Sequence, residues 1–185
     1  MLLFYYKSFS VEFSTILKFA KSNERRRKMA IKYTIETHAV AFPSKLIAQN
    51  GGEHIYNIEL TSNTDNGNLV AKGEFADLDL YKEGTVTEFE GVIQKQAANG
   101  NWYVEVTKPG DALFVYMQAF IPEDWTNKWK KESNFYNASG DTVRGYGLHV
   151  GDVFEVSKEG FTGDPKAKAT VTCENKKLKV AASEA

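Results

Sequence analysis

Thr85–Lys108, TVTEFEGVIQKQAANGNWYVEVTK, is the clearest hairpin in this 185-residue chain. Two strand-forming runs flank AANGN, a turn rich in Asn and Gly. Pro109-Gly110-Asp111 then breaks the second strand. Ala112–Gln118, ALFVYMQ, follows as a continuous apolar run suited to a strand buried on both faces. Outward from this unit, strand signals recur roughly every 10 residues. IKYTIETHAV alternates Ile31, Tyr33 and Ile35 with polar residues. QNGGEH reads as a turn, and HIYNIEL sets Tyr56, Ile58 and Leu60 on one face. TSNTDNGN is a polar loop whose Asn66-Gly67 pair is a hairpin dipeptide. NLVAKGEF is a further strand. The fold expected is all-β, a small antiparallel barrel or sandwich with one short helical insert.

Composition supports a globular chain rather than a disordered one, at 42% hydrophobic and 25% charged. Aromatic content of 13% favours strands. Cys173 stands alone, so an internal disulfide is excluded and a cysteine-ligated zinc is not supported.

The chain divides at Met29. Residues 1–28 carry seven Lys or Arg and two acidic residues, whereas Met29–Ala185 is acidic by about six charges. The stretch ERRRKM back-translates to a purine-rich ribosome-binding tract ahead of a start codon. On that reading residues 1–28 are an upstream extension, and residues 29–185 are the β domain. A targeting leader with Phe9, Phe13, Ile16, Leu17 and Ala20 on one helical face is the alternative, and a helical arm a third. Its apolar run is shorter than the roughly 20 residues a bilayer span needs.

The helical insert is expected in PEDWTNKWKKESNFY, Pro122–Tyr136. Proline and two acids open it and Lys130 and Lys131 come later, the order favoured by the helix dipole. Trp125 and Trp129 then share a face. Either they pack on the sheet as core, or with Phe135 and Tyr136 they form an aromatic ridge for a partner. Farther on, LHVGDVFEVS is a turn feeding a strand, with Gly145, Gly151 and Asp152 read as turn residues.

Chemical motifs are sparse. His38, His54 and His149 lack ligand spacing. EFADLDLYKEG superficially resembles a calcium loop, but its leucine and tyrosine placement marks a solvated strand face. No nucleophile elbow, P-loop or dinucleotide fingerprint is present. Asn137 heads a glycosylation triplet that reads as a turn. The expectation is no catalytic residue, no metal and no cofactor. A single-stranded nucleic-acid-binding barrel is the first alternative function, since NWYVEVTK and NKWKKESNFY interleave aromatics with lysines. The acidic balance after Met29 weighs against it. A continuous lysine stripe beside Trp102 and Tyr103 would favour it. The second alternative is a carbohydrate-binding β-sandwich, which needs a flat row of exposed aromatics.

Val104–Gln118, then a polar insert, then VRGYGLHVGDVFEVSKEGF (Val143–Phe161) resembles small virion proteins of tailed bacteriophages, of the head auxiliary or decoration type. The likeness spans roughly residues 85–180 and is sharpest over Arg144–Phe154. It implies a β-rich, non-catalytic domain bound to a capsid protein lattice in the phage head, made in the host cytoplasm. A homo-oligomer is compatible with it, whereas membrane or nucleic-acid partners are not expected.

Overall fold

A computed structural model describes residues 37–52, 54–77, 79–119 and 131–181. Residues 1–28, positions 31–36 of the first expected strand, and positions 122–130 of the expected helical insert, with Trp125 and Trp129, lie outside the described residues. The end of the insert, 131–136, is described and holds a short 3-10 turn at Glu132–Asn134.

Twelve strands are described: β1 (Ala41–Lys45), β2 (Ile55–Glu59), β3 (Leu69–Asp77), β4 (Leu80–Gly84), β5 (Glu90–Gln96), β6 (Trp102–Lys108), β7 (Ala112–Tyr116), β8 (Thr142–Gly147), β9 (Val153–Val156), β10 (Phe161–Thr162), β11 (Thr170–Glu174) and β12 (Lys177–Val180). Among the described residues there is one short α-helix, α1 (Ile47–Gly51), which takes up the start of the stretch that sequence reading assigns to a turn from Gln49. It closes on Gly52, whose φ of 67° lets its N–H reach Ala48 O. The fold is therefore all-β with one short helix.

Strands β2-β4-β3-β7-β8 close into a five-stranded barrel, and β1-β9-β6-β5-β11-β12-β10 form a seven-stranded sheet. The hairpin of Thr85–Lys108 is β5–β6, tied at its turn by Ala97 N–H to Asn101 O at 2.8 Å. β6 also pairs with β9, Val104 opposite Phe154. Asn66-Gly67 does not make a hairpin. β2 runs parallel to β4 and antiparallel to β8, so the loop after it crosses the barrel end instead of doubling back. Thr37–Val40 is not strand, and the first described strand begins at Ala41.

β7 explains the architecture. Its apolar run is buried on both faces, as its sequence suggests. Leu113 and Val115 face the barrel interior with Ile58, Leu60, Val70 and Val143. Ala112 and Phe114 face the other way, into the core between barrel and sheet, with Ile93, Val104, Phe154 and Leu178. Phe114 and Phe154 meet at 4.7 Å between ring centroids. Gly145 is not a turn residue. It lies within β8, where an added Cβ would sit 3.1 Å from Ile58 and 3.2 Å from Leu113, so it makes room in the barrel interior. Gly151 does turn the chain, at φ 89°.

Candidate functional site

β3 has nine residues, but β7 pairs with only Leu69–Ala71 of them. Beyond Ala71, β3 leaves β7 and pairs with β4 alone, while β4 stays in the barrel wall through its pairing with β2 over Leu80–Lys82, and burial on β3 drops from Ala71 outward. Irregular register on both sides of Phe75 redirects side chains there. The result is a surface cluster. The Phe75 ring, 60% exposed, lies 5.4 Å from Tyr81, which lies 6.0 Å from Tyr56. Tyr56 and Tyr81 also pack on the barrel core, so the cluster is anchored from below. Lys72 Nζ sits 4.7 Å from the Tyr56 ring centre and 5.0 Å from that of Tyr81, a cation–π arrangement. No carboxylate among the described residues pairs with Lys72.

An open groove of about 310 Å³ continues from this cluster, lined by Tyr56, Lys72, Asp111, His54 and His149 among others. The two imidazoles meet edge-on at 5.3 Å. His54 holds a left-handed φ of 58° and its carbonyl accepts Gly147 N–H at 2.8 Å, which fixes it against β8. His149 belongs to the Gly-Asp turn. There the Asp152 carboxylate, buried at 1% exposure, accepts His149 N–H at 2.8 Å and Ile47 N–H at 3.0 Å. One aspartate thus fastens the β8–β9 turn to the start of α1. Asp111 is occupied as well, by Thr87 O–H at 2.8 Å and the N–H groups of Thr87 and Glu88. Burial pushes its carboxyl up, but these donors outweigh that and hold it below the usual carboxylate range.

Phe75, Ile47 (57%) and Val150 (69%) are the strongly exposed large apolar side chains among the described residues. Val150 follows His149, and Ile47 is bonded to the same turn. Apolar exposure therefore collects around one end of the barrel, as a contact surface does.

The residues expected at a partner surface fare differently. Phe135 is buried at 3%, so its ring belongs to the interior and not to an exposed ridge. Tyr136 is partly buried with its ring 5.0 Å from His38, which itself bonds Asp65 at 2.7 Å. Asn137 is fully buried, its amide donating to Thr64 O and Asn66 Oδ1, both at 3.1 Å, so the glycosylation triplet is closed in this fold. Of the three histidines the fold unites two. The Glu74–Glu83 stretch, expected to be a solvated strand face, spans the end of β3 and most of β4; its Glu83 side chain is not solvated but 5% exposed and paired with Lys176. Sequence reading missed the Phe75–Tyr81–Tyr56–Lys72 cluster, because Tyr56 reaches the β3–β4 hairpin only through the parallel β2–β4 pairing, and irregular register within the hairpin sets Phe75 beside Tyr81.

The alternatives can be held against geometry. Lys45 and Lys95 do flank Tyr103, at 4.8 and 5.9 Å. Yet Glu155 stands across from Tyr103, Glu105 follows two residues along, and Trp102 packs partly into the core. That is an alternating surface, not a lysine stripe. The rings of Phe75, Tyr81 and Tyr56 meet at 69° and 86°, so they make no flat row for a sugar. Burial raises the Cys173 thiol to about 11, which keeps it protonated and poorly nucleophilic at neutral pH. Among the described residues no cluster of three His, Cys, Asp or Glu is placed to hold a metal, and no helix is long and apolar enough to cross a membrane. Searches against family models, curated proteins and solved structures find no match to this chain.

Proposed function

We propose that this chain is a non-catalytic structural protein of a bacteriophage head that docks on the capsid lattice through the barrel-mouth surface of Phe75, Tyr81, Tyr56 and Lys72. The observation that carries a docking role is the exposed Phe75 ring, set against Tyr81, which in turn meets Tyr56 and packs with it on the barrel core. Aromatic anchors with a rigid base are what protein contacts use. The capsid as partner comes from the sequence likeness over Arg144–Phe154. That segment builds strand β8, the turn carrying His149 and the carboxylate that positions α1, so the stretch carrying the likeness also shapes the groove.

The test is co-sedimentation of the purified chain with phage heads assembled without it. The expected result is saturable binding at a fixed number of copies per head. Sedimentation no greater than with unrelated particles would contradict the proposal.

A further inference from the structure

The barrel-mouth surface has a charge polarity that narrows what can cover it. At its base, Lys72 holds an ammonium over two rings without a carboxylate partner among the described residues. The groove beside it adds His54 and His149, and its one acid, Asp111, has its oxygens taken up by Thr87 and Glu88. At the other end, the hairpin tip carries exposed Asp77 and Asp79, with Phe75 between tip and base. Lys72 and Asp77 are five positions apart, but the register shifts set them opposite Glu83 and Leu80, three positions apart on β4, a span of about 10 Å at roughly 3.3 Å per residue.

Resting on the docking role above, we infer that the occupant is a protein segment with the opposite polarity. It places an acidic side chain at Lys72 and the groove, an apolar side chain against Phe75 and Tyr81, and a basic side chain at Asp77 and Asp79. Lys72 suits this role because its ammonium needs no ion pair broken before it meets a carboxylate. The tyrosine faces hold it in place, which lowers the ordering cost of binding. A nucleic acid fits poorly, since a phosphate chain continuing past Phe75 meets two carboxylates. Opposed charges on one short surface also fix the direction in which the segment lies.

The experiment measures binding to heads assembled without this chain, at low and high salt, for wild type, Lys72→Glu, Lys72→Arg, Asp77→Lys and Phe75→Ser. These side chains are exposed, so melting temperatures should stay near wild type and report that each variant folds. Lys72→Glu and Asp77→Lys should each weaken binding about tenfold at low salt, and less at high salt. Lys72→Arg should bind as wild type, and Phe75→Ser should lose most binding. If Lys72→Glu and Asp77→Lys bind normally while Phe75→Ser does not, this inference falls and the docking surface stands; if Phe75→Ser also binds normally, the docking surface falls with it and only capsid association stands. If Asp77→Lys strengthens binding and wild type is retained on single-stranded DNA, the occupant is a polyanion and the inference is overturned. Wild type that fails to sediment with heads overturns both readings.

Discussion

Gly110 shows how much one position can decide. Its φ is 54°, and an added Cβ would lie 2.0 Å from Glu88 O, a backbone atom with little room to move. Only glycine fits there. Gly110→Ala should therefore cost more than the roughly 1–2 kcal/mol of left-handed strain alone. Urea denaturation should show this as a lower midpoint, whereas a midpoint within experimental scatter of wild type would contradict the geometry. The Pro-Gly-Asp triplet is legible in the sequence as a break between strands. Its further role is not: there the chain leaves the seven-stranded sheet for the barrel, and Asp111 ties the start of β5's approach at Thr87 and Glu88. That role depends on residues some 23 positions away, which local pattern does not reveal. Asn137 is similar. A polar triplet looks like a surface turn, yet the loop between β2 and β3 packs against it and takes its amide as a cross-link at Thr64 and Asn66.

Between elements, the β11–β12 hairpin is clamped to the barrel by a single cation. Lys176 Nζ donates to Ser62 Oγ at 2.7 Å and Thr64 Oγ1 at 2.9 Å, and pairs with Glu83. Glu83 also accepts Thr61 N–H and O–H, each at 2.8 Å. Burial alone raises the Glu83 carboxyl, but Lys176 and Thr61 together bring it below its ordinary value. A lowered folded value contributes stability that is fully present above the ordinary glutamate range and lost as pH falls through the lowered one. Unfolding from pH 7 down to pH 3 should accordingly show declining stability below about pH 4.5. Glu83→Gln should flatten part of that decline while lowering stability at pH 7, and an unchanged pH profile would contradict the clamp. Individual strands such as β2, β5, β6 and β7 were legible from alternation or apolar runs. Their partners were not. Asn66-Gly67 signals a hairpin locally, but Asn66 instead bonds Met117 backbone at 2.8 and 3.0 Å and turns the loop inward. Burial of Ile58 and Val143 across the barrel then selects the β2–β8 pairing.

At the scale of the whole molecule, β7 serves two cores at once, one inside the barrel and one between barrel and sheet. Next to that shared strand, β3 runs on beyond Ala71 with β4 as its one partner, leaving an open strand edge at the barrel mouth. An all-β barrel or sandwich was legible from strand spacing, and the structure contains a barrel together with a sheet. The barrel-mouth cluster was not legible, because Phe75, Tyr81, Tyr56 and Lys72 look like ordinary strand residues until the parallel β2–β4 pairing gathers them. The central claim is that this gathered surface is what meets the capsid. Amide hydrogen exchange of the chain, free and bound to heads, tests it most directly, since β3 beyond Ala71 has no β7 partner and is largely exposed when free. The account predicts slowed exchange on binding across Lys72–Asp77 and Leu80–Glu83, with the Gly163–Lys168 loop unchanged. Slowing confined to that loop, with the hairpin exchanging as fast bound as free, would contradict it.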